Sequence, residues 1–263
     1  MEEQDLNNIP REVFDLIESN GNNFHTKVAR WFTNNGWHVV VSPYYMDQTQ
    51  GKAREIDLVV EKLWPVMNDF GRGRGYIVTR LFVECKYIPS YSVFWFSDRD
   101  YEATKQLICK DVPRIASNTY IDKHHYLRNS PRVAKLFASS KKSPENDLFY
   151  KALNQALNAM ISMRSHPTST PQAKGYPAPL LKLLNFPVVV CNSFEKIFSA
   201  DFQSNSPPQS LQKNFQLEVL YAYIDARQQP QNEYFLLDFV EFDQLDDFHT
   251  AISKDVNILG DFV

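Results

Sequence analysis

Three charged side chains stand inside otherwise apolar runs. Asp57 lies in Ile56-Asp57-Leu58-Val59-Val60, and Glu84 and Lys86 lie in Leu81-Phe82-Val83-Glu84-Cys85-Lys86-Tyr87. A strand turns successive side chains to opposite faces, so Glu84 and Lys86 project together and Cys85 projects away from them. Carboxylates and ammonium groups are rarely buried unpaired, because removing an isolated charge from water is costly. A divalent cation bridging Asp57 and Glu84, with Lys86 beside it, removes that cost. Mg²⁺ takes one or two carboxylates together with waters and phosphate oxygens. It acidifies bound water and neutralises charge on a phosphate under attack. A neighbouring lysine orients that water, or accepts its proton if its own pKa is depressed. The competing arrangement is a half-exposed edge pair, Glu84 and Lys86 on a solvated face, with Asp57 in an unrelated ion pair. Spacing alone leaves both open.

The elements that must position these residues follow from periodicity and punctuation. Val13, Phe14, Leu16 and Ile17 have helical spacing, and Asn20-Gly21 ends that run. A second helix, capped by Asn22 or Asn23, carries Phe24, Val28, Trp31 and Phe32 as its apolar stripe and stops at Asn34-Asn35-Gly36. Trp37 to Val41 reads as a buried strand, Glu55 to Val60 as the next, and Tyr76 to Ile88 as a third after a turn over 68–75. Short helices are expected around 100–110 and 131–138. A clear amphipathic helix runs from about Asn146 to Met163, with Phe149, Ala152, Leu153, Ala156, Leu157 and Met160 on one face. The proline-rich stretch 165–178 is a loop, Phe186 to Cys191 a short buried strand, 215–224 and 234–241 a hairpin, and 244–253 a last helix.

The order helix, strand, Glu55-Ile56-Asp57, turn, strand with Glu84-Cys85-Lys86, helix, strand resembles the PD-(D/E)XK, or restriction-endonuclease-like, nuclease superfamily. Lys52-Ala53-Arg54-Glu55-Ile56-Asp57 before an apolar run is a form many of its members share. The resemblance covers about 24–191. It implies a single α/β domain over 1–263: a mixed central sheet flanked by helices, with an insertion at about 90–145 and a C-terminal extension, 192–263, of hairpin plus helix. It implies Asp57 and Glu84 as metal ligands, the Cys85 backbone carbonyl as a further ligand, and Lys86 as the catalytic lysine. The implied reaction is Mg²⁺-dependent phosphodiester hydrolysis, with Mn²⁺ as a substitute, by an endonuclease ahead of an exonuclease. The implied partner is nucleic acid, DNA ahead of RNA, and a homodimer is allowed.

Two features depart from that pattern. Ile56 stands where the family name has proline, which is common among members. Many members carry a glutamate on the first core helix, and the matching position here is His25. His25 borders the buried face through Val28, Ala29 and Phe32, so it either binds metal or phosphate or rests on a hydrogen bond at the core edge. A site lacking that acid is slow, single-metal or inactive, which keeps open a nuclease-fold module for nucleic-acid binding or assembly without turnover. Gln155 sits where some members have an active-site glutamine. It shares a polar face with Lys151, Asn154 and Asn158, and a solvated surface is the competing reading.

Other candidates carry less. Gly71-Arg72-Gly73-Arg74-Gly75 opens a strand where a phosphate loop opens a helix, so it reads as a hairpin tip whose arginines can meet a DNA backbone. His124-His125 has no acid or cysteine at ligand spacing and reads as surface. Tyr91 to Phe96 offers aromatics for base stacking, or for core packing under the insertion. No Gly-x-Ser-x-Gly and no His-Glu-x-x-His motif occurs.

Composition sets the outer bounds. With 28 basic and 31 acidic residues in 263, a net charge of −3 excludes a uniformly basic coat but not a local basic groove. No apolar run approaches the roughly 18 residues of a membrane span. The acidic start Met1-Glu2-Glu3 is unlike a signal peptide, and three scattered cysteines give no disulfide framework, so a reduced, cytoplasmic protein without membrane partners is expected.

Overall fold

A computed structural model describes residues 10–19, 21–67, 70–110, 118–128, 130–139, 147–170 and 178–263. Two N-terminal helices, α1 (Arg11–Ser19) and α2 (Gly21–Asn34), lead into β1 (His38–Val41). A small hairpin, β2 (Tyr44–Asp47) and β3 (Lys52–Glu55), precedes the long strands β4 (Leu58–Met67) and β5 (Gly73–Lys86). Then come β6 (Ser92–Asp98), α3 (Tyr101–Cys109), α4 (Asn118–Lys123), α5 (His125–Arg128) and β7 (Arg132–Ala138). Helix α6 (Leu148–Met163) connects to β8 (Leu180–Cys191), β9 (Ile197–Asp201) and β10 (Gln209–Ser210). Strands β11 (Phe215–Ile224) and β12 (Pro230–Glu241) follow, and a 3-10 turn, Phe242–Gln244, leads into α7 (Leu245–Gly260).

Ten strands form one mixed sheet in the order β1-β4-β5-β8-β12-β11-β7-β6-β9-β10, and β2-β3 stands apart as a two-stranded sheet. Strands β4 and β5 are antiparallel, while β5, β8 and β12 run parallel. Parallel neighbours need a long crossover, and α6 supplies it between β5 and β8. Its start is fixed by Asp147, whose side chain accepts from the N–H groups of Phe149 and Tyr150.

The strand period sorts the core into two layers. Leu58, Val60, Leu81, Val83, Val188, Val190, Leu236 and Val240 face α2 and α7, where Val28, Phe32, Phe248 and Ile252 are buried. Val59, Phe82, Val189 and Phe239 face α6, meeting Phe149, Ala152, Ala156 and Leu157. Helices on both sides explain why these strands are continuous apolar runs. Pro187 is tolerated in β8 because pairing with β12 begins only at Val188.

The α/β class, the mixed sheet and its flanking helices agree with expectation, and several boundaries differ. Residues 132–138 form β7 rather than a helix, pairing with β6; the run is too short for periodicity to choose between the two. The C-terminal hairpin is not peripheral: β12 pairs with β8, so the hairpin lies between β8 and β7 in mid-sheet. Strand β8 starts at Leu180 and α7 continues to Gly260, both longer than expected. Asn68 and Asp69 of the expected turn, Asn146 at the expected start of the long helix, and 171–177 of the proline-rich loop lie outside the described residues.

Candidate active site

Asp57 is not inside a strand. Strand β3 ends at Glu55 and β4 begins at Leu58, so Ile56 and Asp57 form the step between the small hairpin and the main sheet. Backbone bonds hold that step: Ile56 N–H donates to the Pro43 carbonyl (3.2 Å) and Ser42 N–H to the Asp57 carbonyl (2.8 Å). Leu58 pairs with Val83. Asp57 therefore falls just beyond the end of β4, level with the last residues of β5, and its Oδ2 accepts the N–H of Cys85 at 2.7 Å. In an antiparallel ladder a residue's N–H and C=O address the same neighbouring strand. The Cys85 carbonyl thus faces the Asp57 side, where β4 has already ended.

Glu84 and Lys86 share a face, as the alternation requires. Lys86 Nζ donates to Glu84 Oε2 at 2.6 Å and lies 3.9 Å from Asp57 Oδ2. Asp57 N–H points to Glu84 Oε1 at 3.4 Å, closing the triangle. Exposure is graded: the side chains of Glu84, Lys86 and Asp57 are 0%, 14% and 26% exposed, so the site opens on the Asp57 side. The expected trio is brought together, and the edge-pair alternative does not describe it, since Glu84 is fully buried.

Electrostatics follow from that burial. Loss of water pushes the Glu84 carboxyl up to about 7, and Asp57 adds to the rise while the Lys86 ammonium opposes it. Burial also works against the Lys86 cation, but Glu84 and Asp57 together outweigh it and hold its pKa above the ordinary lysine value. A lysine so held is a positioning cation in this state, not a base. The Cys85 thiol packs on the opposite face, and burial pushes it well up, away from thiolate chemistry.

His25 reaches the site by way of the backbone. Its Nε2 lies 2.7 Å from the Asp57 carbonyl, and since a carbonyl only accepts, Nε2 carries the proton. His25 therefore clamps the step carrying Asp57, and that nitrogen is not free to ligate a metal. Gln155 does the same two residues earlier, at the end of β3: its Nε2 donates to the Glu55 carbonyl at 3.3 Å. The face of α6 it shares is not solvated throughout, because Asn158 is buried and donates to Asp47 in β2.

The sequence reading missed Tyr45. This buried tyrosine of β2 donates to the Gln155 carbonyl at 3.4 Å, and Glu84 is among the charges that raise its pKa. No local pattern marks it, because its partner lies 110 positions away. The reading of His124 and His125 as surface is wrong: both are buried, with acid partners in β12 and α7. Of the aromatic run, Phe94 is in the core and Tyr91 is exposed. Among the described residues no helix is long and apolar enough to cross a membrane.

Two carboxylates and a main-chain carbonyl make an all-oxygen donor set, which suits Mg²⁺ or Mn²⁺. No protein-family model, curated protein or solved structure matches the chain.

Proposed function

We propose that the chain is a metal-dependent phosphodiesterase of the restriction-endonuclease-like type, cutting DNA in preference to RNA. The observation that carries the reading is the convergence of Asp57, Glu84 and Lys86 at one end of β5, with Lys86 Nζ within 4 Å of both carboxylates. The element order supports it as well: α2, β1, β4 and β5 antiparallel, then α6 and the parallel β8.

In this reading Asp57, Glu84 and the Cys85 carbonyl would hold Mg²⁺, which when bound would acidify a water and neutralise phosphate charge. The chain's own residues do the rest. Lys86, anchored on Glu84 and facing Asp57, keeps a cation beside the place where an attacking water and the scissile phosphate meet. His25 and Gln155 hold the carbonyls of Asp57 and Glu55, so the Asp57 carboxylate is presented from a fixed step. The closed wall of Glu84 and the open side of Asp57 set the direction of approach.

The test is Mg²⁺-dependent cleavage of closed circular and linear DNA by the intact chain and by Asp57→Ala and Lys86→Ala. Both variants are expected to fold and to lose cleavage by roughly 10²-fold or more; full activity in either rejects the assignment. Cutting of closed circles separates internal from end-dependent cleavage.

One observation favours the second reading, a nuclease-fold module that binds without turnover: His25 is committed to a backbone oxygen where a helix acid would be a ligand. Calorimetric titration with Mn²⁺ separates the two, since an inert module shows no Asp57-dependent binding.

A further inference from the structure

On the opposite face of the sheet lies a second polar centre, built from elements distant in sequence. His125 at the start of α5, Asp238 of β12 and Asp255 of α7 are each at most 3% exposed. His125 Nδ1 hydrogen-bonds Asp255 Oδ2, and His125 N–H donates to Asp255 Oδ1 at 3.0 Å. Asp255 thereby holds the Nδ1 proton and turns Nε2 toward Asp238. Burial opposes the charged ring, but the two carboxylates outweigh it and raise its pKa to about 9, so a metal would take the place of the second proton on Nε2. That nitrogen lies 3.4 Å from Asp238 Oδ2. Asp238 is oriented in its turn: Gln216 Nε2 donates to its other oxygen, Oδ1, at 2.9 Å, and Arg99 Nη2 holds Gln216 Oε1 at 2.8 Å.

The 3.4 Å separation is long for a charge-assisted hydrogen bond, which runs about 2.7–2.9 Å. It matches the distance between two ligands on one tetrahedral ion with bonds of about 2.0–2.2 Å. Carboxylate-bound imidazole is the usual outer support of a metal-ligating histidine. The pair is also reachable: His125, Asp238 and Gln216 line a cavity of about 440 Å³ whose rim carries the exposed Arg128, Lys213 and Lys254. We propose that His125 Nε2 and Asp238 Oδ2 form a binding site for a divalent transition metal of the Zn²⁺ class, with waters from the cavity completing the coordination.

A different trio, His124, His125 and Asp255, also brings ligand atoms within 4.8 Å of one another. Hydrogen bonding argues against it. His124 Nδ1 accepts the N–H of Tyr126 at 3.2 Å, so the neutral ring carries its proton on Nε2, the atom 3.4 Å from Asp255. A metal on that nitrogen would move the proton to Nδ1, against another N–H. Imidazole with carboxylate selects Zn²⁺ and its neighbours rather than Mg²⁺, which prefers an all-oxygen set.

The experiment is Zn²⁺ titration by calorimetry of the full chain in an Asp57→Ala background, which removes binding at the candidate active site. One site is expected. Asp238→Asn and His125→Gln should weaken it roughly 100-fold, Asp255→Asn about tenfold, and His124→Gln not at all. Zn K-edge absorption of the loaded Asp57→Ala chain needs no further variant and should read one imidazole ligand. Absence of a site, two imidazoles or none, or full affinity in a folded Asp238→Asn chain overturns the proposal.

Discussion

His25 donates from Nε2 to the Asp57 main-chain oxygen over 2.7 Å, an oxygen that also accepts the N–H of Ser42 at 2.8 Å. Two donors on one carbonyl pin the step between the small hairpin and the main sheet. Removing the imidazole leaves that oxygen satisfied by Ser42, so the fold should lose only about 1 kcal/mol. The carboxylate it steadies is the side chain of that same residue, Asp57. His25→Ala is expected to lower Mg²⁺-dependent cleavage roughly 10–100-fold, with partial recovery in His25→Gln, which restores a donor. Urea unfolding and cleavage rates check the two halves; wild-type rates in His25→Ala would remove it from the site's support.

Glu61 and Arg80 face each other across β4 and β5 as register partners, both buried, with Arg80 Nε donating to Glu61 Oε1 at 2.6 Å. Burial opposes the Glu61 carboxylate, but the Thr170 hydroxyl and N–H together with Arg80 outweigh it and hold its pKa below 4.5. A depressed folded pKa contributes stability that is complete above the unfolded value and lost as pH falls through the folded one. Glu61→Gln should therefore cost about 3–5 kcal/mol at pH 7, and the gap from wild type should narrow as pH falls below about 4.5. Urea unfolding across that range reads it directly; a gap independent of pH would contradict the assignment.

Lys62 of β4 donates from Nζ to the Asn35 carbonyl, just past the end of α2, at 2.8 Å, and contacts His249 Nε2 at 3.1 Å. Its ammonium lies 4.8 Å from the Trp64 ring centroid and 5.7 Å from that of Trp37. A cation at a helix C-terminus and over two indole faces ties α2 and α7 to the sheet. Lys62→Met keeps the length and loses the charge, and should destabilise by about 1–3 kcal/mol. Tryptophan fluorescence in a urea titration measures it.

Gly75 of β5 passes hard against the start of β8. An added Cβ would sit 2.5 Å from Leu181 Cγ and 2.6 Å from the Pro179 carbonyl oxygen. The second contact is backbone, which cannot swing aside. Gly75→Ala is expected to cost about 1–3 kcal/mol, seen as a lowered midpoint in thermal unfolding. An unchanged midpoint would mean that the β5–β8 approach is looser than these distances.

Much of the scaffold was legible because it is written locally. The face shared by Glu84 and Lys86 follows from the two-residue repeat of any strand, and the apolar stripe of α6 from the helical period. The hairpin of β11 and β12 announces itself by two strand patterns around a polar turn. Short runs such as 132–138 satisfy both periods, and there pairing with β6 decided.

The chain by itself determined which residues alternate, which stripes are apolar and which charges sit where charge is costly. Only the tertiary structure decided what those charges meet. It set Asp57 in a step rather than a strand, turned His25 onto a backbone oxygen and put His125 in the interior between Asp238 and Asp255. The reason is one of range: periodicity is a property of neighbouring residues, whereas these partners lie 32, 113 and 130 positions apart and come together only when the sheet assembles.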